Sequence, residues 1–279
     1  MAIITLWNPE RRQSGQTMSA IAISTYLAIE SNSKVLLLST ECNDKMLESA
    51  FDLKGISKSL IASIVKDNKI NLDSGVDGLA TISYSNKLTP KIIRDYTKVV
   101  FKNRLELIYA PTNTERTEYE KILSSYKDIL NCANQYYDYV IVDFNKGFHP
   151  PYTETVLNMS DVIIINLQQR ISKINEFANL KKREKILNNK KNMLLINKYD
   201  PISKYNKKNL SRYLGKKDNI YVLPYNTLFM EASEEGNVAE LFLRIRKIKE
   251  DDKNGNFFSE IGKTVDGIKF KLQELRMTK

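Results

Sequence analysis

Apolar runs and amphipathic stretches alternate along the whole chain. Short apolar runs bounded by polar residues are typical of strands buried on both faces of a parallel sheet. The predicted strands lie at 3–7, 34–39, 105–109, 140–142, 161–167 and 192–200, and a last one ends at Pro224. Apolar residues three and four apart predict helices at 17–29, 44–66, 92–100, 118–134 and 257–278. No stretch between these elements has the composition of a linker, so we expect one α/β domain spanning residues 1–279.

The composition suits a folded domain, and the sequence argues against a membrane-spanning protein and against a secreted one. Of the 279 residues, 42% are hydrophobic, which is enough to bury a core. No apolar run approaches the roughly 20 residues of a membrane-spanning helix, and the first strand lacks the pattern of a signal peptide, so we expect a cytoplasmic protein. Cys42, Cys132 and His149 have no metal-ligand spacing, so we expect reduced thiols and no recognisable metal site.

Basic residues exceed acidic ones, with 43 Lys and Arg against 33 Asp and Glu, for a formal net charge of +10. This balance suggests an acidic partner, such as nucleic acid or an anionic membrane surface. The candidate DNA contacts lie in two basic clusters and are Lys207, Lys208, Arg212, Lys216, Lys217, Arg244 and Arg246. Exposed lysine-rich faces that serve only solubility give the same pattern, so both interpretations stay open.

The loop between the first strand and the first helix stands where phosphate-binding loops are built, because helix-initial N–H groups face such a loop. It resembles the deviant Walker A motif of the ParA/MinD family, K-G-G-x-G-K-T-[ST], and aligns with it without gaps. The resemblance implies a nucleotide-binding role for Arg11, Arg12, Gln13, Ser14, Gly15, Gln16, Thr17 and Met18. An ordinary loop before a capped helix is the alternative interpretation.

Most of the chemistry of that motif is missing from the loop. Gln16 replaces the lysine that neutralises phosphate oxygens, which removes a positive charge from the place where charge develops during hydrolysis. Arg12 and Gln13 replace glycines, which adopt positive φ angles without steric cost. Gly15 and Thr17 are kept, and Thr17 is the residue that would hold Mg²⁺. ATP and Mg²⁺ are therefore doubtful ligands of this loop.

Two acidic residues stand at the ends of predicted strands. YYDYVIVDF resembles the family's YDYVIIDTPP, whose Asp acts at Mg²⁺ and the γ-phosphate, and Asp143 is its counterpart. Ser39 and Glu41 occupy the positions of the family's D-x-D, so Glu41 is the second catalytic candidate. A strand cap for Asp143 and a surface acid for Glu41 are the alternatives. Ligands of open α/β sheets bind at the carboxyl ends of strands, which is where both residues lie.

The strongest resemblance to the family lies in the last third of the chain. NMLLINKYD ends in Asn197, at the place where the family's Asn contacts the adenine edge. YVLPYNTLFMEASEEGNV matches the family's block v-I-P-x-[ND]-x-x-x-x-x-A-x-x-x-G-x-x-[VI], with Pro224 and Asn226 in register at the base. The resemblance then covers nearly the whole chain. It implies a doubly wound, mainly parallel sheet with helices on both faces, the three-layer α/β/α fold of P-loop NTPases.

Two further segments indicate what kind of partner or surface the protein contacts. Residues 76–113 resemble the corresponding segment of TadZ-type members of the family and contain a predicted helix through Ile92, Ile93, Tyr96, Val99 and Val100. The C-terminal helix carries an apolar stripe surrounded by lysines. Such a stripe either packs on the sheet or, as in MinD-type proteins, binds peripherally to a membrane surface.

The resemblance implies a homodimer that localises cargo through a partner protein or apparatus. The leading hypothesis is a degenerate positioning or assembly factor for plasmid DNA or for a secretion, pilus or conjugation apparatus, with weakened nucleotide binding and lost or very slow hydrolysis. The first alternative is an active Mg-ATP-dependent ATPase in which Arg11 or Arg12 replaces the missing lysine. The second is a nucleotide-independent protein that binds DNA without sequence preference.

Overall fold

Eight strands form one sheet in the computed structural model, which describes residues 1–9, 14–43, 45–51, 75–112, 115–144, 152–188, 191–215 and 220–277. The strands are β1 (Ala2–Trp7), β2 (Val35–Ser39), β3 (Lys98–Phe101), β4 (Leu105–Ile108), β5 (Tyr139–Phe144), β6 (Val162–Gln168), β7 (Asn192–Tyr199) and β8 (Ile220–Pro224). The six apolar runs and the strand before Pro224 are all among them, so the predicted strands are confirmed.

The strand order is β3-β4-β2-β5-β1-β6-β7-β8, and every neighbouring pair is parallel except β3 with β4. The chain builds outward from β1 in both directions, which makes the sheet doubly wound. This arrangement confirms the predicted fold class. It also sets the place of a ligand site, because binding crevices of such sheets open at the carboxyl ends of strands on either side of the point where the winding reverses.

Helices cover both faces of the sheet. They are α1 (Gln16–Glu30), α2 (Met46–Ala50), α3 (Val76–Tyr84), α4 (Pro90–Asp95), α5 (Arg116–Ala133), α6 (Tyr152–Met159), α7 (Ile171–Arg183), α8 (Lys207–Leu214), α9 (Thr227–Glu235), α10 (Val238–Ile245) and α11 (Lys253–Met277), with a 3₁₀ turn at Lys185–Asn188. One core cluster joins the sheet to α1, α2, α9, α10 and α11. The other joins it to α3 through α8. The predicted helix over 44–66 lies partly outside the described residues, and α2 is its described part.

The C-terminal helix α11 packs along the sheet. Its apolar residues Phe257, Ile261, Val265 and Ile268 are buried in the first core cluster. The approach is close at Gly267, where an added Cβ would lie 2.2 Å from the Tyr221 ring. The interpretation of the stripe as core packing is therefore confirmed. No helix among the described residues is long and apolar enough to cross a membrane.

The predicted helix at 92–100 is wrong in its second half. Helix α4 stops at Asp95, and Val99 and Val100 lie in the edge strand β3, antiparallel to β4. Thr97 donates from its hydroxyl to the carbonyl oxygen of Arg94 at 2.9 Å, which satisfies a helix-terminal acceptor. Two adjacent valines favour a strand, because β-branched side chains lose rotamer freedom in helices.

Candidate functional site

The loop before α1 meets the start of the helix at Gly15. This residue has φ 75° and ψ 19°, a left-handed conformation that glycine adopts without steric cost. The amide of Ser19 donates to the Gly15 carbonyl at 3.0 Å, which begins the helical ladder. An added Cβ at Gly15 would lie 3.4 Å from the Asn197 Cβ, so the loop passes close to the end of β7.

Asp143 is the centre of the first polar cluster. Its register partners are Leu6 on β1 and Ser39 on β2, which places it at the carboxyl end of the sheet. The residue is fully buried. Its carboxylate accepts a hydrogen bond from Gln16 Nε2 at 2.5 Å and one from Thr17 Oγ1 at 2.7 Å. A buried carboxylate needs such donors, because losing water without compensation costs several kcal/mol. We call Gln16, Thr17 and Asp143 the aspartate cluster.

One polar atom of the aspartate cluster has no hydrogen-bond partner within the described ranges of the chain. Gln16 is 5% exposed, and no donor among the described residues reaches its buried Oε1 atom. The assignment of Nε2 to the Asp143 side follows from chemistry, since an ionised carboxylate only accepts hydrogen bonds. A buried unpaired carbonyl oxygen costs about 1–3 kcal/mol. The cluster therefore carries an unmet hydrogen bond at its Gln16 end.

A second polar cluster is centred on Asn197 of β7. Its Nδ2 donates to the Ser14 carbonyl at 2.7 Å and to Asn166 Oδ1 at 2.9 Å. Ser19 Oγ donates to Asn197 Oδ1 at 2.8 Å. Both amide hydrogens and the amide oxygen of this 2% exposed residue are thus used inside the protein. We call Ser14, Ser19, Asn166 and Asn197 the asparagine cluster. It fastens the loop before α1 to β6 and β7.

Asn166 and Ser19 are site residues that sequence reasoning missed. Asn166 stands inside the apolar run DVIIINL, and Ser19 stands in the first turns of α1. A single polar residue inside a strand that is buried on both faces needs a hydrogen-bonding partner, so Asn166 was the available signal. The amide contact of Asn197 with a nucleotide base stays a prediction, and it would require one of its present bonds to be exchanged.

A cavity of about 390 Å³ opens beside both clusters. Most of the residues predicted to bind nucleotide or to catalyse line it, namely Ser14, Gly15, Gln16, Thr17, Met18, Glu41, Asn197, Pro224 and Asn226. The lining residues that were not predicted are mostly apolar: Met46, Lys198, Leu223, Tyr225, Phe229, Met230 and Phe257. The structure therefore brings the predicted residues together, and it surrounds them with sulfur and aromatic side chains.

The far wall of the cavity is held by α9. Asn226 Oδ1 accepts from the Phe229 amide at 2.9 Å and so caps the helix, while Asn226 Nδ2 donates to Asn254 Oδ1 at 2.9 Å. The Phe229 ring lies 5.1 Å from the Phe257 ring of α11, centroid to centroid. These contacts fix the apolar wall before any ligand enters. Asn226 carries out a structural task here, and its predicted contact with a base stays a prediction.

Two tyrosines of α5 fasten the end of β2 near the aspartate cluster. Tyr126 donates to the Ser39 carbonyl at 2.7 Å, and Tyr119 donates to the Thr40 carbonyl at 2.6 Å. Complete burial, more than any neighbouring charge, raises the pKa of Tyr126 well above its ordinary value. The Glu41 amide donates to Ser39 Oγ at 3.1 Å, so the chain turns directly after the strand. Glu41 thereby reaches the cavity rim.

The predicted DNA contacts are spread over two faces of the molecule. Lys207, Lys208 and Arg212 are exposed on α8, whose Leu210 packs in the second core cluster. Helix α10 packs in the first core cluster, on the other side of the sheet. Its exposed basic residues are Arg244 and, at the C-cap, Arg246, which lies 3.9 Å from Glu30. Lys216 and Lys217 lie outside the described residues. The two groups therefore do not form one patch.

Part of the loop is not among the described residues. Arg11, Arg12 and Gln13 lie in that part, and their predicted contacts with phosphate stay predictions. In the described part of the chain, no group of three or more His, Cys, Asp and Glu side chains has metal-binding geometry.

The described residues fit Mg-ATP poorly. Thr17 and Asp143 offer two oxygen atoms 2.7 Å apart, of the kind that Mg²⁺ prefers. Gln16, however, brings a neutral amide to the place of the phosphate-binding lysine, and its N–H is engaged by Asp143. The one cation lining the described cavity is Lys198 at the end of β7. The charge that would hold phosphate is therefore missing from the described part of the loop.

Comparison with known proteins supports the resemblance at the level of the fold. No protein-family model and no curated protein sequence matches the chain. Among solved structures, MinD cell division ATPase from Pyrococcus furiosus aligns with a TM-score of 0.65 at 14% identity, over 96% of this chain and 100% of that one. A ParA family ATPase from Chlorobium tepidum aligns with a TM-score of 0.64 at 15% identity, over 97% and 98%.

A third solved structure adds a bound nucleotide analogue. It is a plasmid partition protein from Borrelia burgdorferi bound to AMPPNP, with a TM-score of 0.56 at 18% identity, over 94% of this chain and 97% of that one. The sheet order, the helices on both faces and these full-length superpositions agree. The chain has the fold of the ParA and MinD ATPases.

Proposed function

We propose that this protein is a degenerate ParA/MinD-like positioning or assembly factor that acts as a dimer, binds nucleotide weakly and hydrolyses it very slowly or not at all. Its cargo is plasmid DNA or a secretion, pilus or conjugation apparatus. The TadZ-like sequence of residues 76–113 favours the apparatus. Action in the cytoplasm and a single domain over 1–279 belong to the same proposal.

The observation that carries the proposal is the contact between Gln16 and Asp143. In a working phosphate-binding loop a lysine ammonium faces the phosphates, and each phosphate oxygen it neutralises strengthens binding. Here the same position holds an amide whose N–H lies 2.5 Å from the buried Asp143 carboxylate. A nucleotide phosphate arriving beside Asp143 meets a negative charge and no described lysine in the loop. Weak binding follows from this electrostatics.

Calorimetric titration of Mg-ATP tests the proposal, with the oligomeric state followed by light scattering in the same samples. We expect a dissociation constant in the millimolar range or no heat, and a dimer whose fraction does not depend on ATP. Gln16→Lys should then tighten ATP binding about tenfold or more, since a charged hydrogen bond replaces a neutral one. Gln135→Lys is the matched control, because Gln135 is exposed and far from the cavity.

Three results would contradict the proposal. Micromolar binding of Mg-ATP by the unaltered protein would mean that Arg11 or Arg12 replaces the lysine. ATP turnover that disappears in Asp143→Ala would support the alternative of an active ATPase. Equal affinities in Gln16→Lys and Gln135→Lys would show that the amide is not what weakens binding.

A second candidate function is DNA binding, favoured by the distribution of charge. Between Arg170 and Lys217 the sequence has fifteen Lys and Arg but three Asp and Glu. In the rest of the chain 30 acidic residues face 28 basic ones. No described carboxylate lies within ion-pair distance of the exposed Lys207, Lys208 or Arg212. The positive excess of the whole protein is thus confined to one stretch that includes α7 and α8, which provides a surface for the phosphates of DNA.

Fluorescence anisotropy with a random-sequence DNA duplex tests this candidate over a range of salt concentrations. Replacing Lys207, Lys208 and Arg212 with Gln should weaken binding about tenfold or more and lower the slope of log K against log salt by about 3, roughly one per lost phosphate contact. The matched control replaces the exposed Lys87, Lys91 and Lys102 with Gln. Absent binding, or equal losses in both triple variants, would rule out α8 as the DNA-binding surface.

A further inference from the structure

The cavity beside the aspartate cluster is built for something other than phosphate. Three methionines and three aromatic residues line it: Met18, Met46, Met230, Tyr225, Phe229 and Phe257. Its charged lining residues in the described chain are one acid and one base, Glu41 and Lys198. Thioether and aromatic side chains gain most from contact with an aromatic ring, and one charge of each sign favours no net charge on the ligand.

The size and rigidity of the cavity suit a small ligand. A volume of about 390 Å³ lies at the lower end of the range for pockets that hold small molecules. Phe229 and Phe257 are 3% and 1% exposed and belong to the core cluster under the sheet. Ring contacts join Phe229 to Phe257 and to Phe242 at centroid distances of 5.1 Å and 5.8 Å. This wall is held in place by core packing and does not need a ligand to form.

One polar atom at the cavity has no hydrogen-bond partner in the described part of the chain. Gln16 lines the cavity, and its buried Oε1 has no donor among the described residues. Its Nε2 is held by Asp143, so the amide cannot turn to satisfy the oxygen without giving up that bond. A ligand with an N–H or O–H group at this end of the cavity would supply the missing hydrogen bond.

We propose that this cavity binds a neutral aromatic molecule that donates one hydrogen bond to Gln16 Oε1. The proposal rests on the proposed function, since it names what the site takes when nucleotide binding has been weakened. The aromatic body lies between the methionines and the Phe229 and Phe257 rings. The donor reaches Gln16 at the base of α1. Binding needs neither Mg²⁺ nor a phosphate group.

A pair of fluorescent probes tests the proposal. N-phenylnaphthylamine is neutral and aromatic with one N–H donor, and phenylnaphthalene has a similar shape without the donor. We expect N-phenylnaphthylamine to bind the unaltered protein with enhanced fluorescence, about fivefold more tightly than phenylnaphthalene, which corresponds to one neutral hydrogen bond. In Gln16→Met this preference should disappear while phenylnaphthalene still binds. Equal affinities of the two probes for the unaltered protein would overturn the assignment of Gln16 Oε1 as the acceptor.

A pair of variants locates the probe. Met230→Trp places a larger side chain in the cavity wall and should weaken N-phenylnaphthylamine binding about tenfold or more. Met277→Trp makes the same substitution at an 87% exposed position at the end of α11 and should leave the affinity unchanged. No fluorescence enhancement by the unaltered protein, or equal affinity in both variants, would overturn the proposed site.

Competition with Mg-ATP separates this proposal from the proposed function. Probe binding that persists at millimolar Mg-ATP supports both. Displacement of the probe by micromolar Mg-ATP would contradict weakened nucleotide binding but would leave the probe site in place. Weak ATP binding together with no probe binding would overturn the aromatic-ligand proposal and leave the proposed function unaffected.

Discussion

The aspartate cluster and the asparagine cluster lie side by side at the same edge of the sheet, but their hydrogen bonds differ. In the asparagine cluster, Asn197 has a partner for both amide hydrogens and for its oxygen. In the aspartate cluster, Gln16 donates to Asp143, and its own Oε1 has no donor among the described residues. Both sites are polar, and both involve residues in the first turns of α1.

The difference indicates that the asparagine cluster stabilises the fold and that the aspartate cluster is the candidate binding site. A fully satisfied buried network rigidifies its surroundings, and its loss costs stability. A buried polar atom without a donor, next to a cavity, would gain a hydrogen bond from a ligand that donates to it. We therefore expect substitutions in the asparagine cluster to affect folding most and substitutions in the aspartate cluster to affect binding most.

The largest expected effect on stability is that of Asn197→Ala. The substitution removes the donor to the Ser14 carbonyl and to Asn166 Oδ1, and Ser19 Oγ keeps only its bond to the Gly15 carbonyl. We expect a loss of about 3 kcal/mol in the free energy of unfolding. Chemical denaturation followed by circular dichroism measures it. Asn158→Ala, at an exposed position on α6, is the control and should change stability by less than about 0.5 kcal/mol. A loss below 1 kcal/mol for Asn197→Ala would remove the distinction between the clusters.

The next effect is that of Gly15→Ala, which tests how closely the loop approaches β7. A side chain at φ 75° costs about 1–2 kcal/mol, and the new Cβ meets Asn197 at 3.4 Å. Gly236→Ala has a similar backbone strain, since Gly236 has φ 83° and ψ 14°. The measurement compares the denaturant concentrations at which the two variants are half unfolded. A smaller loss of stability in Gly15→Ala than in Gly236→Ala would contradict the close approach of the loop to β7.

Tyr126, which lies near the aspartate cluster, makes the stability of the protein depend on pH. The pKa of Tyr126 is raised in the folded state. Its contribution to the free energy of unfolding is therefore complete below the ordinary pKa of about 10, and it is lost as the pH rises from there toward the pKa of the folded state. Tyr126→Phe should cost about 1 kcal/mol at pH 7, where the bond to the Ser39 carbonyl is lost. Between pH 10 and 11 its stability should fall less steeply than that of the unaltered protein, by up to about 1.4 kcal/mol per pH unit. Parallel slopes in urea titrations at these pH values would contradict the assignment.

The smallest expected effect on stability is that of Asp143→Asn. An amide at this position can donate to Gln16 Oε1 after the Gln16 amide turns over, which pairs the oxygen and leaves Gln16 Nε2 at the position that has no described partner. We expect a change within about 1 kcal/mol in either direction, because relief of a buried charge offsets a weaker bond to Thr17. Thermal unfolding measures it. A loss above 3 kcal/mol would mean that the carboxylate is as structural as Asn197.

The sequence was sufficient for most of the sheet and for the location of the site. Continuous apolar runs such as KVLLLS and DVIIINL have the length and β-branched content of buried strands, and they form β2 and β6. The strand order follows less directly. Polar residues at the ends of such runs pointed to Asp143 and Asn197, and in the structure Asn197 lines the cavity while Asp143 contacts the lining residues Gln16 and Thr17.

Other features depend on contacts between distant segments. Val99 and Val100 fit a helical pattern as well as a strand, and pairing with β4 decides between them. The apolar wall of the cavity joins Met46, Phe229 and Phe257, which no local pattern connects. The bond from Gln16 to Asp143 spans 127 positions along the chain, so its geometry emerges only from the folded sheet.

The packing of α11 has a consequence for how the protein is made. Phe257, Ile261, Val265 and Ile268 complete the core layer that also contains α1, a helix that is synthesised before them. Until these residues emerge, that layer exposes apolar surface, whereas the layer on the other face of the sheet already has its helices. Nascent chains expose their unburied surface to chaperones and to one another. The apolar surface of α1 therefore stays uncovered until α11 has been synthesised, and the cavity wall that contains Phe257 forms only after that point.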